Sequence, residues 1–227
     1  MLIRPQFVTG EIYHIYNRGV EKRTVFSNEK DYRRFARDME DFNDIAPATN
    51  LHRHRVKSNF KQRKPLVEIL CFCLMPNHYH FLLRQLADSG ITEFMRKIGT
   101  GYTNYFNLKN TRVGPLFQGK FKAIHLEKEA HLLYLPHYIH LNPLDLHMPE
   151  WRERKIRHTE NAIKFLESYR WSSYLDYIGK KNFPSVIASD FILANYGSAI
   201  PKVKYKQEIK EWLENFEYDS IHDAAID

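Results

Sequence analysis

His78 and His80 stand two residues apart in Met75-Pro76-Asn77-His78-Tyr79-His80-Phe81-Leu82-Leu83. The segment before them, Val67-Glu68-Ile69-Leu70-Cys71-Phe72-Cys73-Leu74, is apolar and rich in β-branched and aromatic residues. The pattern predicts a hairpin: a buried strand, a turn at Met75-Pro76-Asn77 and a second strand. Side chains two apart on a strand share a face, so both imidazoles project together and Tyr79 lies opposite. Two imidazoles on a rigid strand make a good start to a divalent-metal site. An isolated H-x-H pair is more often solvated or bonded to carbonyls, so the rest of the chain has to decide.

Tyr138 and Asn142 are four residues apart and share one helix face. A tyrosine there can act as a nucleophile, with the Asn142 carbonyl oxygen as a third metal ligand beside His78 and His80. Two neutral imidazoles and one amide oxygen suit Mg²⁺ or Mn²⁺ with positions open to phosphate oxygens. Tyrosine, with a pKa of about 10, is a weak nucleophile at neutral pH. The ion would act mainly by polarising the scissile phosphate and stabilising developing charge. A covalent phosphotyrosine conserves the energy of the broken linkage, which suits cutting and rejoining better than hydrolysis. A water-using metal hydrolase would need a carboxylate base, and the hairpin motif contains none. Tyr134, one turn earlier on the same face, is the alternative nucleophile. Tyr102 and Tyr105 recur with Ile98 and Phe106 at core spacing. His14 and Asn17 on the first strand are placed to face the same centre, whereas His125, His137 and His140 are only near in sequence.

Several elements must position these groups. Alternation over 11–17 predicts the first strand, stopping at Arg18-Gly19. Ser27 or Asn28 caps a helix whose apolar face is Tyr32, Phe35, Met39 and Phe42, closed by Pro47. A second helix carries Ile91, Phe94, Met95, Ile98, Tyr102, Tyr105 and Phe106, with Gly99 and Gly101 allowing a bend or a close approach. A strand over 117–126 follows, and a third helix with Tyr134, Tyr138 and Asn142 ends before Pro143. Pro136 either kinks that helix or opens it, depending on where the helix begins. The order predicts an α+β fold: an antiparallel sheet with helices packed on one face, plus C-terminal helices near 189–196 and 205–217. A core over 1–150 and an extension over 151–227 are expected, with a basic insertion at about 47–66.

The composition fits a globular chain with a sizeable core: 43% of its residues are hydrophobic and 27% charged. No apolar run is long enough to span a membrane, and residues 1–5 hold no secretory core, so a cytoplasmic, nucleoid-associated location is expected. Cys71 and Cys73 read as reduced core residues, because partners two apart on a strand are poorly placed to bridge. The net charge is +7, yet residues 205–227 hold two lysines against seven acids, so the rest of the chain is more basic still. That balance favours a polyanion, and nucleic acid is the commonest. Arg53, Arg55, Lys57, Lys61, Arg63 and Lys64 form an acid-free basic run, and Arg18, Lys120 and Lys122 join them as candidate phosphate contacts. The acidic tail reads as an amphipathic helix packing Ile209, Trp212, Leu213 and Phe216 on the body.

Five segments occur in a familiar order: Tyr13-His14-Ile15-Tyr16-Asn17-Arg18-Gly19, Cys73-Leu74-Met75-Pro76-Asn77-His78-Tyr79-His80, Leu116-Phe117-Gln118-Gly119-Lys120-Phe121, Tyr138-Ile139-His140-Leu141-Asn142-Pro143 and Trp171-Ser172-Ser173-Tyr174. Together they resemble the single-tyrosine transposases of the HUH nuclease superfamily, most closely the branch associated with repetitive extragenic palindromes. The resemblance implies a ferredoxin-like or RRM-like sheet, a divalent metal held by His78, His80 and Asn142, and Tyr138 as nucleophile. It also implies cleavage of single-stranded DNA beside a hairpin, leaving a 5′-phosphotyrosine and a free 3′-hydroxyl. The partner is then single-stranded, palindrome-bearing DNA, met by a monomer or a homodimer. The rival expectation is a non-cleaving DNA- or RNA-binding protein on the same scaffold.

Overall fold

The computed structural model describes residues 5–47, 63–153, 156–194 and 201–215. Strands β1 (Ile12–Arg18), β2 (Val67–Met75), β3 (His78–Gln85) and β4 (Lys122–His125) form one antiparallel sheet in the order β2-β3-β1-β4. The helices are α1 (Glu29–Asp41), α2 (Gly90–Lys109), α3 (Glu129–Leu141), α4 (Thr159–Ser168), α5 (Tyr174–Tyr177), α6 (Ser189–Leu193) and α7 (Pro201–Asn215). The predicted antiparallel α+β plan is therefore the observed one.

Alternation gives the sheet two apolar faces. Ile15, Tyr79, Phe81 and Leu83 pack against Phe35 of α1 and Phe94, Ile98 and Tyr102 of α2. Cys71, Cys73, Met75 and Leu82 on the other face meet Leu135, Tyr138 and Ile139 of α3, with Leu166 of α4 and Ile209 and Trp212 of α7. Helices thus lie on both faces rather than on one, because β2 is apolar on both sides. The strand also carries a bulge: Ile69 opposes Leu83 and Cys71 opposes Leu82, leaving Leu70 as the extra residue. β2 is also an edge strand, and later segments close it. Trp171 O accepts from Leu74 N (2.9 Å), Ser173 Oγ accepts from Phe72 N (2.9 Å), and Ala188 N donates to Ile69 O (2.9 Å).

Asn28 caps α1, its side chain accepting from Lys30 N and Asp31 N. Gly101 is the close approach between α1 and α2: a Cβ there would lie 2.6 Å from the Phe42 ring. The strand expected over 117–126 is shorter, Lys122–His125, because Gly119 turns at φ +73° and leaves Phe117 only an isolated bridge to Gly19. α3 begins at Glu129, so Pro136 is an interior residue that cannot donate to the Leu132 carbonyl. The last helix starts at Pro201, four residues earlier than expected, and buries Tyr205, Ile209, Trp212 and Leu213. Phe216 and most of the basic insertion, including Arg53, Arg55, Lys57 and Lys61, lie outside the described residues. Cys71 and Cys73 are free thiols, both buried, and burial pushes both up. Among the described residues no helix is long and apolar enough to cross a membrane.

Candidate active site

The chain reverses through Pro76 and Asn77, so β3 starts at His78. Pro76 O accepts from Val25 N (2.8 Å) and Asn77 O from Gly19 N (2.7 Å), which fixes the turn to the end of β1. Gly19 is required there, since a Cβ would fall 2.4 Å from the Arg23 carbonyl oxygen. Residues opposite one another in antiparallel strands share a face, and the registers then define rows across the sheet. Cys73, His80, Tyr16 and Lys122 form one row; His78 and Arg18 lie beside it on one flank, Leu82 and His14 on the other.

His80 is 0% exposed and His78 is 7% exposed. Burial, reinforced by His78, His14, Arg152 and Arg18, holds the His80 imidazole well below the usual histidine range, so it is neutral at pH 7. His80 Nδ1 and His14 Nε2 are 2.9 Å apart, with the rings stacked at 5.2 Å. Asn77 Oδ1 accepts from His78 Nδ1 at 2.6 Å, which leaves His78 Nε2 as the lone-pair nitrogen when the ring is neutral. Both Nε2 atoms are buried. Arg18, His78, His80, Tyr16, Gln118 and Lys122 enclose a cavity of about 50 Å³. The Lys122 Nζ sits 5.4 Å from the Tyr16 ring centre.

Tyr138 descends on this floor from α3, its ring edge-on to His80 at 5.9 Å and to His14 at 6.5 Å. It is fully buried. Asn142, at the end of α3, donates from Nδ2 to Tyr138 O (2.8 Å), and its Oδ1 accepts from Arg152 Nη2 (3.4 Å). The Arg152 guanidinium lies 5.5 Å from the Tyr138 ring centre and is gripped by Asp145, which accepts from Nε (2.9 Å) and Nη2 (2.7 Å). Burial opposes the charge on Arg152, but Asp145 and Tyr138 more than offset it and raise its pKa.

The structure therefore brings His78, His80, Tyr138, Arg18 and Lys122 to one centre, with Asn142 adjoining Tyr138 and Arg152. Tyr134 is half-buried one turn away and packs against His137 at 6.4 Å. Lys120 lines a different cavity, beside Phe117 and α2. Arg63 donates to Glu40 O and approaches Asp41, and with Lys64 it leads into the Val67 end of β2, roughly 26 Å along the strand from Met75. Those two cations are not at the histidine centre. His125 contacts Glu11, and His140 is buried among Ser173, Tyr205 and Cys71, so both have other partners. Arg152 was not foreseeable from a motif; its one sequence signal is a basic residue shortly after the tyrosine helix.

Among the described residues no three His, Cys, Asp or Glu side chains cluster to hold a metal ion. A divalent cation here would rest on His78 and His80: both Nε2 atoms are buried, and burial keeps the His80 imidazole neutral, which fits such a ligand role. Its remaining positions would fall to an amide or phosphate oxygens.

No curated protein matches the sequence. A solved structure described as "Structure of the REP associates tyrosine transposase bound to a REP hairpin" is similar over 83% of this chain and 91% of that one, with 12% identity and a TM-score of 0.48. Residues 8–142, which contain β1 to β4, the histidine pair, Tyr138 and Asn142, match the family described as "Transposase IS200 like". The chain belongs to the IS200-like transposase family.

Proposed function

We propose that this transposase cleaves and rejoins single-stranded DNA next to hairpins through Tyr138, with Mg²⁺ or Mn²⁺ on His78 and His80. The observation that carries the reading is the convergence of the Tyr138 ring on His80 and His14 above a floor bearing Arg18 and Lys122. In the reaction the Tyr138 oxygen attacks phosphorus and the bond from phosphorus to the 3′-oxygen breaks. The products are a 5′-phosphotyrosine and a free 3′-hydroxyl; attack by another 3′-hydroxyl reverses the step and joins new ends. The bound cation would supply Lewis-acid polarisation of the phosphate. Arg18 and Lys122 hold the phosphate chain, and Arg152 fixes Tyr138 and Asn142 relative to one another while offering positive charge beside the phenol. On this reading residues 1–150 are the catalytic core, and the 151–227 extension lends the site Arg152. The hairpins would be palindromes of the kind that the sequence resemblance implies.

The test is covalent trapping: labelled hairpin DNA from a pool of palindromes is incubated with Mn²⁺ and resolved on a denaturing gel beside Tyr138→Phe and Tyr134→Phe. A metal-dependent adduct lost only in Tyr138→Phe is expected. Loss only in Tyr134→Phe would move the nucleophile. The complete burial of Tyr138 favours a second reading, a non-cleaving nucleic-acid-binding protein. DNA binding without an adduct across the pool would establish that reading instead.

A further inference from the structure

On the far side of the sheet from Tyr138 lies a cavity of about 410 Å³, within the range of small-ligand pockets. Met95 and Gly99 of α2 form one wall, Leu116, Phe117 and Phe121 the other, and Asn17 closes the end. Asn17 also lines the cavity at the histidine pair, so the two spaces share one residue. Its side chain is held, Nδ2 donating to Gly119 O (3.2 Å) and Oδ1 accepting from Arg18 N (2.9 Å). Lys120 lines this cavity and Lys122, two residues on, lines the other.

Gly99 is the unexplained feature. A glycine inside a helix costs about 1 kcal/mol relative to alanine, and Gly101 has a reason in the Phe42 ring. Gly99 has none from packing: a Cβ there would meet no atom within 4 Å. Its only evident effect is to keep the α2 wall of this cavity open.

We propose that the cavity receives one unpaired nucleobase of the DNA strand on which the tyrosine site acts, with adjoining phosphates on Lys120 and Lys122. The proposal rests on the transposase reading for the identity of the strand. A flat aromatic base suits the apolar slot edged by Phe117 and Phe121, and its exocyclic groups would meet Asn17 and the 115–121 backbone. Lys120 and Lys122 supply the charge that an apolar peptide or a lipid tail would not need, and Asn17 lines both this slot and the cavity at the histidine pair. Placing one base here would set which phosphate reaches Tyr138.

The experiment compares binding of labelled short homopolymers of dA, dC, dG and dT with an abasic strand of equal length, by fluorescence anisotropy, for the unaltered protein, Gly99→Leu and Tyr138→Phe. The unaltered protein should prefer at least one base-bearing strand over the abasic one by about tenfold, and Gly99→Leu should erase that preference. Tyr138→Phe should retain it. An equal preference in Gly99→Leu, or none in the unaltered protein, overturns the proposal. If Gly99→Leu fails to fold, methyl-labelled Met95 in the unaltered protein replaces it: a shift with a homopolymer but not with the abasic strand supports the pocket, and no shift overturns it. Because adduct formation is read separately, a base preference without an adduct removes the nuclease reading and keeps the pocket. An adduct without a base preference does the reverse.

Discussion

His14→Phe is the substitution that most directly probes how the histidine pair is set for a cation. His14 is fully buried and its Nε2 lies 2.9 Å from His80 Nδ1. If His80 Nδ1 donates there, His80 is held in the tautomer whose Nε2 lone pair faces the site. Phenylalanine keeps the ring stacked on His80 but removes the acceptor. A buried N–H left without its partner costs about 1–3 kcal/mol, and the His80 ring can relieve this only by moving its proton to Nε2, which takes away the lone pair. Loss of such an outer partner typically weakens metal binding by about 10- to 100-fold, which agrees with that cost at 1.4 kcal/mol per decade. The assay is adduct formation against Mn²⁺ concentration. The midpoint should rise by about 10- to 100-fold in His14→Phe with a similar rate at saturation, and His14→Gln, which restores an acceptor, should recover most of it. An unchanged midpoint, or a lower saturating rate at the same midpoint, would refute the reasoning and assign His14 to the tyrosine instead.

Arg152→Ala should slow adduct formation by about 10²–10³-fold with little loss of DNA affinity, and Arg152→Lys should recover only part because lysine cannot match the Asp145 fork; an equal loss in affinity and rate would make Arg152 a simple DNA contact. Gly101→Ala should lower the melting temperature by a few degrees, since overpacking against Phe42 exceeds the helix-propensity gain, whereas Gly99→Ala should raise it slightly; calorimetry showing the same sign for both would contradict this. Burial lowers the His137 pKa from 6.5 to about 3. Below pH 6.5 the unfolded chain therefore binds a proton that the folded one refuses, and stability is full above that pH and falls as pH drops. The loss is about 1.4 kcal/mol per unit at most, reduced by Glu208, whose carboxylate is 3.7 Å away. Urea melts should show His137→Phe flattening the slope between pH 6.5 and 4.5; an unchanged slope would place the acid sensitivity elsewhere.

Local periodicity carried much of this architecture. The alternation in 67–83 is enough to put His78 and His80 on one face, and the spacing of Tyr138 and Asn142 is enough to put them one turn apart, because both depend only on backbone geometry within an element. Asn28 likewise announces α1 by its own side-chain chemistry. What stayed hidden depends on register and long-range packing. That His14 meets His80 follows from Tyr16 lying opposite His80, a pairing of strands 66 residues apart in sequence. Arg152 reaches Tyr138 from a short 3-10 turn, Pro149–Glu153, that no apolar pattern marks. The shortening of β4 needed the left-handed turn at Gly119, and the second layer of helices needed β2 to be apolar on both sides.

The bulge at Leu70 makes β2 a strand of two parities. Upstream of it odd-numbered residues face α1 and α2; downstream, Cys71, Cys73 and Met75 face Tyr138. The downstream half is locked to His78 by the Pro76-Asn77 turn, so its phase is set from the reaction centre outward, while the upstream half takes its phase from Leu66 and the segment that precedes it. Leu70 is the seam where two independently set frames meet. A one-residue change in the length of the strand before the seam can be absorbed there by gaining or losing the bulge, leaving the histidine row where it is. The same change after the seam would turn Cys73 and its neighbours over and displace the row itself. Length variation in this hairpin is thus tolerable on one side of Leu70 and forbidden on the other.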